Sequence, residues 1–206
     1  MAYSRSIPLQ SWLGSRRQAI VTLAQAHAAM GEVDGPGRPL EIGRPVGHAY
    51  VLRVVAEFQA FVRDVHELGA ERLVDLAGPQ GQYRPLLIAA ATEGRFIDRG
   101  NAGVVSIEQD FRRLGISGLK GKMTARNARW DPPSGRGDQA YYQDLIELRN
   151  ALAHGNQNQL DRLRARSVAD TVTWTRARLR GLDRMAKALD RIVWDHLAST
   201  FGTEPW

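Results

Sequence analysis

An all-α helical bundle is the fold class this sequence predicts, and three observations point to it. Apolar residues recur at steps of three and four along most of the chain, almost no segment alternates as a strand would, and Gly/Pro clusters punctuate the periodic stretches. The expected architecture has two long helices, at about 48–77 and 167–197, several short ones and a long basic loop. A chain of 206 residues with 43% hydrophobic content suits a single domain with a real core. Within it, 1–47 reads as an N-terminal helix followed by a Gly/Pro-rich connection, and 48–200 as the helical core carrying the basic loop at 115–137.

The first helix spans Ser11 to Met30, with Trp12, Ile20, Leu23 and Ala24 among its apolar positions, and it stops at Gly31. Five Gly and three Pro between Gly31 and Gly47 predict an irregular connection. Val51, Val54, Val55, Phe58, Phe61, Val62, Val65 and Leu68 then mark a long helix that continues through Leu73 and Leu76 until Gly78-Pro79. Pro85 suits the first turn of the next helix, where its missing N–H costs nothing, and Leu86 to Ala91 reads as a short buried segment. Ser106 with Gln109 has the form of a capping box opening a short helix that ends near Gly115. Residues 115–137, with five Gly and the Asp131-Pro132-Pro133 break, read as a long loop. Helix resumes at about Asp138 and ends at His154-Gly155. A final helix from about Ser167 carries Val168, Val172, Thr175, Leu179, Leu182, Ala186, Leu189, Val193 and Leu197 on one stripe, fit for core or an oligomer seam.

Composition removes several chemistries. There is no cysteine, hence no disulfide framework, thiolate nucleophile or Cys-based zinc site. His27, His48, His66, His154 and His196 are too scattered for metal-ligand spacing, so neither metal nor cofactor is expected. Apolar runs fall far short of a bilayer span and no basic-then-apolar leader opens the sequence, which predicts a soluble cytoplasmic protein with no membrane partner. The formal net charge is +6, and the segment from Arg112 to Arg136, with seven basic residues and one acid, equals it. A polyanion, RNA first, is the partner such a focus suggests, with Lys120, Lys122, Arg126 and Arg129 on phosphates and Trp130 as a stacking platform. A solvated charged surface and duplex DNA binding are the competing readings of the same segment.

The helix QAYYQDLIELRNALAHG separates into two faces at about 100° per residue. Tyr141, Leu145, Leu148 and Leu152 form a narrow apolar stripe, while Gln143, Glu147, Asn150 and His154 line the opposite, outward side. Arg149 lies at the edge between them, near Tyr142 and Ala153. Asn150 and His154, four residues apart, are within side-chain reach, so the amide can orient the imidazole. His154 also sits in the last turn before Gly155, where the negative helix end favours a protonated ring useful in acid/base work.

Arg149-Asn150-Ala151-Leu152-Ala153-His154 resembles the Arg, polar residue, three residues, His signature of HEPN-domain proteins, and LIELRNALAHG matches its surroundings in character. That resemblance implies an all-helical HEPN-like core over 48–200 and a metal-independent endoribonuclease of the toxin or phage-defence kind, cleaving RNA by attack of its own 2′-hydroxyl. It implies His154 as the proton-transfer group, Arg149 as the phosphate clamp, Asn150 as orienter or phosphate ligand, and Glu147 as an accessory that steadies Arg149 or Asn150 or acts on the proton. It also implies a homodimer whose motifs meet across a dyad, and a cognate antitoxin or partner protein. Where some members carry a modifiable Tyr two residues beyond the His, this chain has Asn156. The alternative within the same resemblance is an inactive protein- or nucleotide-binding module of a two-gene system.

Overall fold

In a computed structural model, which describes residues 2–32, 40–78, 81–100 and 102–206, the fold is an all-α bundle with no strand among the described residues. It opens with α1 (Ile7–Ser11), a π-helical turn (Trp12–Arg16) and α2 (Arg17–Glu32). Next come α3 (Leu40–Ala77), α4 (Tyr83–Thr92), α5 (Phe96–Arg99), α6 (Val104–Arg112) and α7 (Leu119–Arg126). The chain finishes with α8 (Asp138–Ala153), α9 (Gln157–Ala165), α10 (Val172–Arg176) and α11 (Leu179–Phe201).

The central rod is α3, against which α2, α4, α8 and α11 pack. Its periodic residues Val51, Val54, Val55, Phe58, Phe61, Val62 and Val65 are all buried, as their spacing requires. Phe58 links two helices through edge contacts, 5.2 Å from Trp12 and 5.0 Å from Tyr142 between ring centroids. Trp12 satisfies its indole N–H on Asp183 Oδ1 at 3.1 Å, which ties the N-terminal segment to α11. A second tie is Asp190, buried on α11, which accepts from Tyr3 Oη at 2.6 Å and from Ser6 Oγ. Ser6 is at the same time the N-cap of α1, accepting from Leu9 N at 3.2 Å.

Five expectations need correction. The Gly31–Gly47 connection is shorter than its composition suggests, because α3 begins at Leu40 and contains Gly43, Pro45 and Gly47; residues 33–39 lie outside the described ones. Packing of the following turns outweighs the local cost of Pro45, and at Gly47 a Cβ would meet the Asp170 carbonyl oxygen at 3.4 Å, an ordinary contact. Leu86 to Ala91 is helical but not a buried segment: no residue of α4 is buried, and Leu86 is 65% exposed. The N-cap of α6 is Gly103 rather than Ser106, which lies inside the helix, so the capping-box pattern was formed by chance spacing.

The basic loop at 115–137 contains α7, whose Leu119 and Met123 are buried, so about a third of the expected loop is packed helix. The final helix from 167 to 197 is not one rod. Ser167, at φ +61, starts an irregular stretch before the short α10, and α11 begins only at Leu179. The apolar stripe survives the break: Val168, Val172, Thr175, Leu179, Leu182, Ala186, Leu189, Val193 and Leu197 are all buried. Spacing thus identified the buried side correctly where it misjudged continuity.

Candidate functional site

The start of α8 is built by the loop before it. Asp138 N donates to Arg129 O at 2.7 Å and Gln139 N to Trp130 O at 3.1 Å, so two of the helix's otherwise unpaired first-turn donors end on loop carbonyls. Gly137 makes that approach possible: a Cβ there would lie 2.3 Å from Trp130 O and 2.4 Å from Pro132 Cδ. The buried Asp138 carboxylate accepts from Asn127 Nδ2 at 2.9 Å and from Arg184 Nε and Nη2 at 2.8 and 2.6 Å, joining loop, α8 and α11.

Along α8, Tyr142, Leu145, Ile146, Leu148 and Ala151 are buried, whereas Tyr141 and Leu152 of the expected stripe are only half-buried. The buried face is therefore wider than the expected stripe and includes Asp144, whose carboxylate meets Arg136 Nη2 at 2.5 Å and Arg166 Nη2 at 3.6 Å. At its C-terminal end α8 stands on a small core of its own, formed with Val51 of α3, Leu160 and Leu163 of α9, and Val168. This platform carries the motif.

The helix closes with a Schellman motif. Asn156 N donates to Ala151 O at 2.8 Å and Gly155 N to Leu152 O at 3.3 Å, with Gly155 left-handed at φ +60 as its position predicts. His154 is the C-cap residue and its side chain is exposed. Asn150 Oδ1 accepts from Arg149 Nη1 at 3.2 Å, and both residues are half-buried. The outward stripe is realised, with Gln143 and His154 exposed and Glu147 and Asn150 half-exposed. Asn156 caps α9 by accepting from Gln159 N at 3.0 Å.

Glu147 accepts from Gln143 Nε2 at 3.2 Å and from Arg166 at the end of α9, and donating that hydrogen bond to Glu147 holds the Arg166 guanidinium above its ordinary pKa. Glu147 is thus engaged by Arg166, a cation from beyond the helix and outside the set of expected site residues. The signal available for it was the dense run Arg162-Leu163-Arg164-Ala165-Arg166. At about 100° per residue, Arg149 and the C-cap His154 are about 140° apart around the α8 axis, an awkward arrangement for one helix to surround one phosphate.

The basic segment sits at the other end of α8, about 24 Å of helix rise from His154 for a helix of 16 residues. Lys120 pairs with Asp131 at 3.1 Å and Arg126 with Asp195, whereas Lys122 and Arg129 are exposed with no carboxylate within 4.0 Å among the described residues. Trp130 is 2% exposed and packs in the main core, so it offers no face for stacking a base. Its burial follows from the turn that returns the chain to α8, where its own carbonyl is already bonded. Among the described residues no group of three or more His, Asp or Glu is arranged to hold a metal ion, and no helix is long and apolar enough to cross a membrane. No protein-family model, curated protein or solved structure matches the chain.

Proposed function

We propose that this protein is a metal-independent endoribonuclease of HEPN type, a toxin or phage-defence effector that works as a homodimer. The observation that carries the reading is the Arg149-Asn150 pair and the exposed His154 together at the capped end of α8, on a platform that holds the helix end in place. Acid/base work needs an imidazole that solvent and substrate can reach, and phosphoryl transfer needs a cation at the phosphate; both residue types are present at one helix end.

In this mechanism the substrate's 2′-oxygen attacks the adjacent phosphorus while the bond to the 5′-oxygen breaks. His154 takes the 2′-proton or delivers one to the departing 5′-oxygen, and Arg149 neutralises the charge that builds on the phosphoryl oxygens. The products are a cyclic phosphate and a free 5′-hydroxyl. Because Arg149 and His154 face different sides of α8, the composite site takes its groups from two copies related by a dyad. Lys122, with the paired Lys120 and Arg126, then contacts RNA away from the scissile phosphate, since the basic segment lies at the far end of the helix.

Incubating a defined RNA with the protein in EDTA tests the reading. Cleavage leaving a cyclic phosphate is expected, with a loss of at least about 100-fold in His154→Ala and in Arg149→Ala. Both variants should keep the wild-type helical spectrum because neither side chain is part of the core. A well-folded wild type that leaves RNA intact, or a His154→Ala variant as active as wild type, would overturn it; the first of these outcomes favours a binding module.

A further inference from the structure

A second charged feature lies between the loop, α8 and the α10–α11 junction: a cavity of about 620 Å³ into which Arg129, Arg136, Arg178 and Arg184 all project, with Asp138 as the single carboxylate in its lining. Two of these arginines are neutralised, Arg184 by Asp138 and Arg136 by Asp144. Arg129 and Arg178 have no carboxylate within 4.0 Å among the described residues, so the cavity keeps an excess of positive charge.

Arg178 is the more informative of the pair. Its guanidinium lies 4.1 Å over the Trp174 ring and 4.9 Å from the Tyr141 centroid, and Nη1 donates to Trp174 O at 3.0 Å. Arg136 approaches the same Tyr141 ring at 5.4 Å. Half-burial pulls the Arg178 guanidinium below its usual pKa, against the help of Tyr141 and Asp144. A charge that is partly desolvated, held by aromatic faces and left without a counter-ion has its burial cost offset when an anion enters. With Nη1 donating to Trp174 O, the Nε and Nη2 edge of the guanidinium is what remains to donate to a phosphate oxygen.

We propose that this cavity binds the oligophosphate group of a small ligand, with Arg129 and Arg178 as its anion-binding side chains. The volume is in the usual range of about 300–1,000 Å³ for small-ligand pockets, and Tyr142, Leu145 and Leu182 give it an apolar wall. Position favours a small ligand over a strand of RNA running to the motif. Tyr141 and Leu145 lie on the side of α8 roughly opposite Asn150 and His154, at about 100° per residue, so a chain in the cavity would have to cross the helix to reach them. The site is independent of the ribonuclease reading.

Isothermal titration of the full chain at low salt, with tripolyphosphate, ATP and an unphosphorylated six-nucleotide RNA as separate ligands, tests the assignment. Tripolyphosphate should bind, and Arg178→Gln and Arg129→Gln should each weaken it at least tenfold, while Lys187→Gln, exposed on α11 outside the cavity, should not. ATP binding tighter than tripolyphosphate identifies a nucleotide as the source of the group; equal affinity identifies the phosphate chain alone. Lack of oligophosphate binding, unchanged affinity in Arg129→Gln, or binding of the RNA alone would overturn the proposal. Arg129 is exposed, so its variant gives a reading even if Arg178→Gln fails to fold.

Discussion

Acidification from pH 7 toward 4 should destabilise this protein through His66, the one histidine sealed in its core. The ring is fully buried, donates from Nε2 to Asp110 O at 2.9 Å and accepts at Nδ1 from Arg95 Nη1 at 3.3 Å, so the neutral form fits. Burial pushes its pKa down from 6.5 to about 4; the Asp110 carbonyl opposes this, and the Arg95 guanidinium adds to it. Between those two values the unfolded chain binds a proton at this residue and the folded chain does not. The His66 contribution to stability is therefore complete above pH 6.5, falls as pH drops toward 4, and changes no further below. At about 1.36 kcal/mol per pKa unit, the loss is about 2 kcal/mol by pH 5 and about 3 kcal/mol by pH 4.

Urea unfolding followed by circular dichroism at pH 7, 6, 5 and 4, on wild type and His66→Gln, isolates that term. Gln keeps a donor and an acceptor but does not titrate. Subtraction removes groups common to both proteins, among them Asp75, held low by Arg84, and Asp190, pushed up by burial and acting with the opposite sign. Wild type should lose about 2 kcal/mol more than the variant between pH 7 and 5. Parallel pH profiles would refute the reasoning. So would a His66 ring titrating near 6.5 in the NMR spectrum of the wild type, a measurement that does not need the variant to fold.

Two glycines should respond differently to alanine. Gly137→Ala drives a Cβ into the Trp130 carbonyl and should cost about 2–3 kcal/mol, a drop in Tm of about 4–12 °C in a thermal melt. Gly155→Ala meets open space and pays only for φ +60, about 1–2 kcal/mol. Light scattering at micromolar concentration should give a dimer if the composite site is correct; a strict monomer that still cleaves RNA would rule out sharing between copies. Leu148→Ala should lower stability by about 2–4 kcal/mol, as it hollows the small core beneath the motif, and RNA cleavage should weaken with it.

Much of the candidate site was legible because its signals are local. The outward stripe of α8 depends only on angle along one helix, and the left-handed Gly155 only on where that helix ends. Glu147 was placed on the right face, but its tie to Arg166 joins positions that come together only when α9 folds back. Trp130 reads as a stacking residue while its neighbours are taken to be solvent; the turn back to α8 puts those neighbours in the core.

The sequence by itself determined helical class, the buried side of nearly every long helix and the polar end of α8, since periodicity records which face of a local element is apolar. Tertiary structure alone decided whether an apolar face would find a cover. It left α4 unburied, broke the last stripe between α10 and α11 without exposing it, and gathered Arg129, Arg136, Arg178 and Arg184 around one cavity. Those outcomes depend on contacts between residues far apart along the chain, to which the spacing of residues within one helix is blind.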